Sequence, residues 1–216
     1  MLSRTLPTQV AHHLRERILG GELAPGDRII ETDLATEFEV SRHTLRSALQ
    51  TLTHEGLLEQ SQFKSTHVAR PTADDVFEIY TLRNALEAMA CRLAAQRVAN
   101  TAAMDAAVAR MRAAAEAGDV TAMKEADFDF HTAVIDLAGH SRLREQYRTL
   151  HAQTRLYLNL TATVGYELGE IAAKHAELAD AIRRGDAARA EQLGGAHNTD
   201  DGERLVAMLR APGRPG

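Results

Sequence analysis

Apolar positions recur at helical spacing along nearly the whole chain, interrupted once by two short runs that read as strands. Val10, Leu14 and Ile18 repeat at four-residue steps and predict a helix over about 8–19, which Gly20-Gly21 ends. Ala24-Pro25-Gly26-Asp27 is a turn by composition, since Pro fixes φ and Gly accepts positive φ. Two short amphipathic segments follow across Glu31–Leu58, joined tightly at Phe38-Glu39-Val40. In the second, Ser41 suits an N-cap, Leu45, Ala48, Leu49 and Leu52 form one apolar stripe, and Gly56 supplies the stop. Leu57–Gln60 and His67–Arg70 then predict a small hairpin around residues 61–66.

Pro71-Thr72 marks a boundary, so residues 1–71 and 72–210 are expected to be separate domains. The second region has no β-branched alternation. Its Ala-rich helical patterns break near Asn100-Thr101, Gly118-Asp119, Gly139-His140-Ser141, Gly165 and Gly185-Asp186. Those breaks predict six helices, at about 73–98, 102–117, 120–138, 142–163, 167–184 and 187–210, packed as an all-α bundle. The tail 211–216, dominated by Pro and Gly, is expected to be disordered.

The segment that begins at Ser41 carries chemistry. It buries Leu45 and Leu49 while presenting Arg42, His43, Thr44 and Arg46 in its first turn and a half. Arg can bond guanine edges and phosphates alike, and the N-terminal turn of a recognition helix is the part that reaches bases. A solvated helix with two surface arginines explains the charges equally well, and charge alone favours that plainer reading. At 216 residues the chain fits two small domains, each able to bury a core. A net charge of −5 argues against nonspecific coating of nucleic acid, although a specific reader can gather its positive charge on one face. Glu31, Asp33, Glu37 and Glu39, just before the candidate reading segment, are expected to face away from phosphates. Cys91 is the sole cysteine, which excludes a disulfide framework and a clustered-cysteine zinc site. No apolar signal core opens the chain and no stretch approaches a membrane span, so a cytoplasmic location with no membrane partner is expected.

Leu14 to Gln60 as a whole resembles the winged helix-turn-helix domain of the GntR family of bacterial transcription regulators. The resemblance rests on Ile18 before Gly21-Glu22-Leu23, Pro25-Gly26-Asp27, Leu34-Ala35, Val40-Ser41-Arg42, Leu45-Arg46 and Gly56-Leu57. It implies a mostly α fold with a β-hairpin wing, and binding to double-stranded operator DNA. Relatives usually carry Gly at about Ser65 in the wing; with Ser there, either Ser65 and Thr66 do less in the minor groove or Lys64 provides a phosphate contact instead.

In the bundle, Asp127 and His131 lie four residues apart on a predicted helix and so share a face, while His175 and His197 fall on the last two predicted helices. One carboxylate with three imidazoles is a sound donor set for a divalent transition metal. Ten histidines also make such a spacing reachable by chance, and each residue alone fits a bland core-edge or surface role. Leu82–Ala95, Asp127–Leu143 and Lys174–Asn198 resemble the FCD ligand-binding domain of the FadR-like branch of the same family. That resemblance implies that Asp127, His131, His175 and His197 ligate a metal, Zn²⁺ or Ni²⁺. Asp129 points to another face, and His140 stands where a capping residue belongs.

Arg83 and Glu87, four apart, read on their own as an internal ion pair of little worth on a surface. The FCD resemblance instead implies that Arg83 faces an effector cavity and binds a small organic acid as a bidentate fork, with Tyr147, Arg155 and Asn159 as further lining candidates. The resulting expectation is a homodimeric, metabolite-responsive transcription regulator, a repressor by the commoner pattern of the family, with dimerisation also matching two-fold operators. Two rivals remain: a metal-dependent hydrolase, for which no general base or nucleophile motif is evident, and a regulator whose helical domain binds no metal.

Overall fold

The computed structural model describes residues 5–61, 65–97, 100–159 and 167–211, with the backbone alone at residue 159. Contacts group the residues up to Thr72 with His151 and the part of its helix that follows; the remainder forms a second unit.

In the first unit, α1 (Leu6–Leu19) opens two residues before the expected start, because Pro7 sits where a helix needs no N–H donor. After it come β1 (Arg28–Ile29), α2 (Glu31–Glu37), α3 (Arg42–His54), β2 (Leu58–Gln60) and β3 (Thr66–Val68). Ser41 caps α3 as expected, its hydroxyl accepting from the Thr44 N–H at 3.1 Å. Between α2 and α3 the chain turns at Glu39, whose φ of 52° places a non-glycine residue in the left-handed region. Val10, Leu14 and Ile18 of α1 are buried together with Leu45, Ala48, Leu49 and Leu52 of α3, and these two helices pack on each other.

The hairpin is part of a three-stranded antiparallel sheet in the order β1-β3-β2, with Arg28 opposite His67 and Leu58 opposite Val68. Strand β1 was not expected: two residues are too few for alternation to register. The last strand also ends at Val68 rather than Arg70. Ser65 bonds back across the hairpin, its hydroxyl 2.7 Å from that of Ser61 and 2.9 Å from His67 Nε2. Lys64, the candidate phosphate contact, lies outside the described residues.

The second region supplies α4 (Ala73–Arg97), α5 (Ala102–Ala117), α6 (Val120–Leu137), α7 (Ser141–Asn159), α8 (Leu168–Arg183), α9 (Ala187–Ala196) and α10 (Thr199–Arg210). The helix expected over 187–210 is therefore two, broken at His197-Asn198. The side chains of these neighbouring residues both turn inward, His197 toward His175 and Asn198 toward Glu87. Successive residues of a continuous helix lie about 100° apart around its axis, which the break overcomes. Caps follow local chemistry: Asp119 and Asp186 accept from the Ala122 and Arg189 N–H groups, and His140 Nδ1 accepts from the Leu143 N–H at 3.2 Å. Met104, Met111, Phe130, Leu178 and Ile182 lie fully buried in the bundle core. Helix α9 packs closely along α4, and Gly194 makes the approach possible: a Cβ there would stand 2.6 Å from Cys91 Sγ. Among the described residues no helix is long and apolar enough to cross a membrane.

Candidate metal centre and nucleic-acid interface

Two helices and one helix break bring the four expected ligands together. Asp127 and His131 occupy successive turns of α6, His175 lies on α8, and His197 ends α9. One donor atom from each lies within 4.8 Å of all the others. His175 Nε2 is 2.8 Å from Asp127 Oδ1 and 2.9 Å from His197 Nε2, and His131 Nε2 is 3.7 Å from the same Asp127 oxygen. Donors bound to one ion at about 2.0–2.2 Å must sit roughly 3–4 Å apart, so the spacing suits a single ion. Asp129 is not in the group; it accepts an ion pair from Arg110 on the surface.

The hydrogen bonds on the outer ring nitrogens decide what the inner ones can do. His175 Nδ1 is 2.8 Å from the Ile171 carbonyl, which can only accept, so Nδ1 carries a proton. Its Nε2 is the nitrogen turned inward, toward the Asp127 oxygen and the His197 imidazole. His131 Nδ1 likewise lies 3.0 Å from Glu87 Oε2, while its Nε2 is buried without a hydrogen-bond partner. Three ring nitrogens and a carboxylate oxygen converge on one point, where a metal ion would supply positive charge to all four atoms at once. The donor set therefore fits a divalent transition ion.

Electrostatics agree with the geometry. Burial opposes ionisation of Asp127, but His131 and His175 beside it hold its carboxyl well below the ordinary range. Burial also works against a charged His131; Glu87 and Asp127 override it and raise its pKa to about 9 when no metal is present. His197 moves the other way, pushed down by burial and by the neighbouring His175 and His131.

Behind the ligands lies a polar layer. Arg83 and Glu87 on α4 are not a surface pair: their side chains are 2% and 3% exposed, and Arg83 Nε donates to Glu87 Oε1 at 2.6 Å. Tyr147 from α7 donates its hydroxyl to the same oxygen at 2.5 Å, and Asn198 Nδ2 donates to Glu87 Oε2 at 2.8 Å. The Arg83 Nη2 group is buried with no hydrogen-bond partner. Burial would raise the Glu87 carboxyl; Arg83 and His131 instead hold it well below the usual range. Neither Glu87 nor Asn198 stood out in the sequence as a site residue. Their only signals are local, one turn beyond Arg83 and one residue beyond His197. The Asn159 side chain lies outside the described residues.

On α3, Arg42, His43 and Arg46 are exposed, while Thr44 is half-buried with its hydroxyl 2.8 Å from that of Ser41. Glu31 does not face away from the reading surface as its sequence position implied. It is the N-terminal residue of α2 and accepts from Arg46 Nε at 2.8 Å. The pair engages Nε and leaves the Nη groups of the exposed Arg46 for a phosphate or a base.

Residues 6–68 match the bacterial regulatory proteins of the gntR family, and residues 78–200 match the FCD domain. The chain is 35% identical over 137 residues to the Nta operon transcriptional regulator of Aminobacter aminovorans, a match spanning 61% of this chain and 63% of that one. It is 29% identical over 188 residues to a probable D-xylose utilization operon transcriptional repressor of Paenarthrobacter nicotinovorans, covering 87% and 83%. Among solved structures it is similar to a putative transcriptional regulator GntR from Rhodococcus sp. RHA1, with a TM-score of 0.80, 26% identity and coverage of 93% and 97%. E. coli McbR/YncC, at a TM-score of 0.77, 23% identity and coverage of 96% and 98%, shares the fold. These relatives are transcription regulators, which removes the hydrolase reading. The chain belongs to the gntR family of bacterial regulatory proteins, with an FCD domain after its helix-turn-helix, and is a metabolite-responsive DNA-binding transcription regulator.

Proposed function

We propose that the protein is a cytoplasmic, homodimeric repressor that senses a small organic acid through a metal-containing FCD domain. The observation that carries this reading is the convergence of Asp127, His131, His175 and His197, with the buried His131 Nε2 unbonded. These four residues hold one divalent transition ion, Zn²⁺ or Ni²⁺, which supplies a Lewis-acidic anchor for a carboxylate oxygen. Arg83 contributes the second anchor: its Nη2 is a buried donor with no partner, and a guanidinium prefers the planar fork of a carboxylate. Tyr147 serves that anchor indirectly, since its hydroxyl is given to Glu87. Asn159, later on α7, is the further candidate for effector contact.

The reading surface is the exposed first turns of α3, where Arg42, His43 and Arg46 approach operator DNA, assisted by Thr44 and by Lys64 from the wing. A two-fold operator calls for two such heads, hence the homodimer. Effector and DNA then oppose each other by linkage: whatever factor the acid takes from operator affinity, the operator takes from affinity for the acid. The test is a thermal-shift screen of small carboxylates on zinc-loaded and on chelated protein, followed by operator titrations with each hit. A hit should stabilise the loaded protein and weaken its operator binding by about 5- to 150-fold. An identical response from chelated protein would overturn the reading.

A further inference from the structure

Glu87 occupies the centre of the buried polar layer, and its hydrogen bonding is saturated. An ionised carboxylate has about four acceptor positions. Arg83 Nε and Tyr147 Oη take those of Oε1; Asn198 Nδ2 and His131 Nδ1 take those of Oε2. With every lone pair engaged, Glu87 is neither a metal ligand nor a free base. Its four donors come from α4, α6, α7 and the α9–α10 break, so one carboxylate ties four parts of the unit together. Two of those ties end on the metal centre. His131 is a proposed ligand, and Asn198 directly follows the proposed ligand His197 in the chain.

We infer that Glu87 is the positioning residue of the metal centre: it holds His131 as the Nδ1–H tautomer with Nε2 turned to the ion, and through Asn198 it fixes the helix break that presents His197. This rests on the proposed ligation by Asp127, His131, His175 and His197. An imidazole that ligates through Nε2 needs its proton on Nδ1, and a carboxylate opposite Nδ1 enforces that choice. A carbonyl does the same for His175, through Ile171. For His131 the acceptor lies on another helix, so the tautomer depends on a tertiary contact.

Glu87→Gln keeps the shape but converts one oxygen to an amide nitrogen with two donors. Arg83 and Asn198 present N–H groups to Glu87, one on each oxygen, so neither orientation of the amide satisfies both ends. With its nitrogen toward His131, the amide donates to Nδ1 and drives the proton onto Nε2, where the ion should bind. The experiment compares wild type with Glu87→Gln and Glu87→Ala by chelator competition with Zn²⁺ and by the visible absorption of the Co²⁺-substituted protein. A positioning role predicts a 10- to 100-fold loss of Zn²⁺ affinity and an altered Co²⁺ spectrum, with helical circular dichroism retained. Wild-type affinity and spectrum in both Glu87→Gln and Glu87→Ala, the second of which removes the acceptor in every orientation, overturn it even if the melting temperature falls, because that pattern is a structural role alone.

A second measurement needs no variant. Nitrogen-15 NMR of the zinc-loaded wild type should show His131 protonated at Nδ1 and ligating through Nε2; ligation through Nδ1 overturns the inference. Failure of wild type to take up Zn²⁺ or Co²⁺ is a different outcome, which defeats the ligand set itself and Glu87's role with it.

Discussion

Gly194→Ala separates two opposed effects at one position. Gly194 lies inside α9 without a positive φ, so helix propensity alone favours Ala by roughly 0.8–1 kcal/mol. The new methyl, however, would stand 2.6 Å from Cys91 Sγ and 3.1 Å from both Cys91 Cβ and the Glu87 carbonyl oxygen on α4. Two of those three atoms cannot rotate away, so the helices must part. Overpacking of this kind typically costs 1–3 kcal/mol, which leaves a net destabilisation of about 0–2 kcal/mol, centred near 1. For a chain of this size 1 kcal/mol corresponds to roughly 2–4 °C in melting temperature. The assay is thermal and urea unfolding of chelated protein, followed by circular dichroism, for Gly194→Ala, Cys91→Ala and the double variant. Removing Sγ takes away the shortest contact, so the double variant should recover at least about 0.5 kcal/mol relative to the sum of the singles. Gly194→Ala clearly more stable than wild type, or strict additivity in the cycle, would refute the close approach of the two helices.

Three further outcomes follow from other parts of the molecule. Glu31→Gln removes the partner that holds Arg46 and a negative charge beside the reading surface, so operator affinity should rise a few-fold at low salt; a fall would show that the Glu31–Arg46 pair prepares the surface instead. Arg42→Ala should cost roughly 1–3 kcal/mol of sequence discrimination if it reads a base, or lower the salt dependence if it meets a phosphate, and no change in either would remove it from the interface. In chelated protein His131 has its pKa raised from 6.5 to about 9, so the stability it contributes is complete below about pH 6.5 and is lost as pH rises through about 9. Zinc displaces that proton, so zinc affinity should rise over the same interval; a melting temperature of chelated protein that climbs between about pH 7 and 9 would contradict the assignment.

Much of the fold is legible in the sequence because it is written in local terms. Val10, Leu14 and Ile18, the stripe from Leu45 to Leu52, the cap at Ser41 and the break at Gly139-His140 each act within one or two turns. The break at His197-Asn198 is different. No proline or left-handed glycine marks it, and the two adjacent side chains there reach partners distant in sequence, His175 and Glu87. Strand β1 is hidden for a similar reason, since its two residues become a strand only by pairing with His67 and Thr66. The candidate ligands were readable as residue types at a spacing, helped by family resemblance. Glu87 was not, because an Arg and a Glu four apart look the same on a solvated helix as in a buried hub. Burial alone distinguishes the two, and burial is set by the other helices.

The charges of that buried layer bear on why, under the proposed function, a metal and an organic acid would share one site. Glu87 and Asp127 are held ionised, and Arg83 supplies the positive charge beside Glu87. With the imidazoles neutral, these three groups leave one net negative charge, an unfavourable place for a carboxylate in a low-dielectric interior. A divalent ion on the four ligands turns the balance to one net positive charge, which one carboxylate neutralises. Under the proposed function the ion therefore changes the sign of the site as well as offering it a coordination position. Without metal, a proton on His131 restores neutrality and no more, consistent with its raised pKa. The Arg83 Nη2 group is kept from Glu87 and left unpaired at a burial where an orphaned donor costs about 1–3 kcal/mol. A guanidinium already paired through Nε and still holding a spare donor is suited to an acid whose arrival completes the layer. On this account metal and acid reinforce each other's binding, each supplying the charge that the other's presence requires.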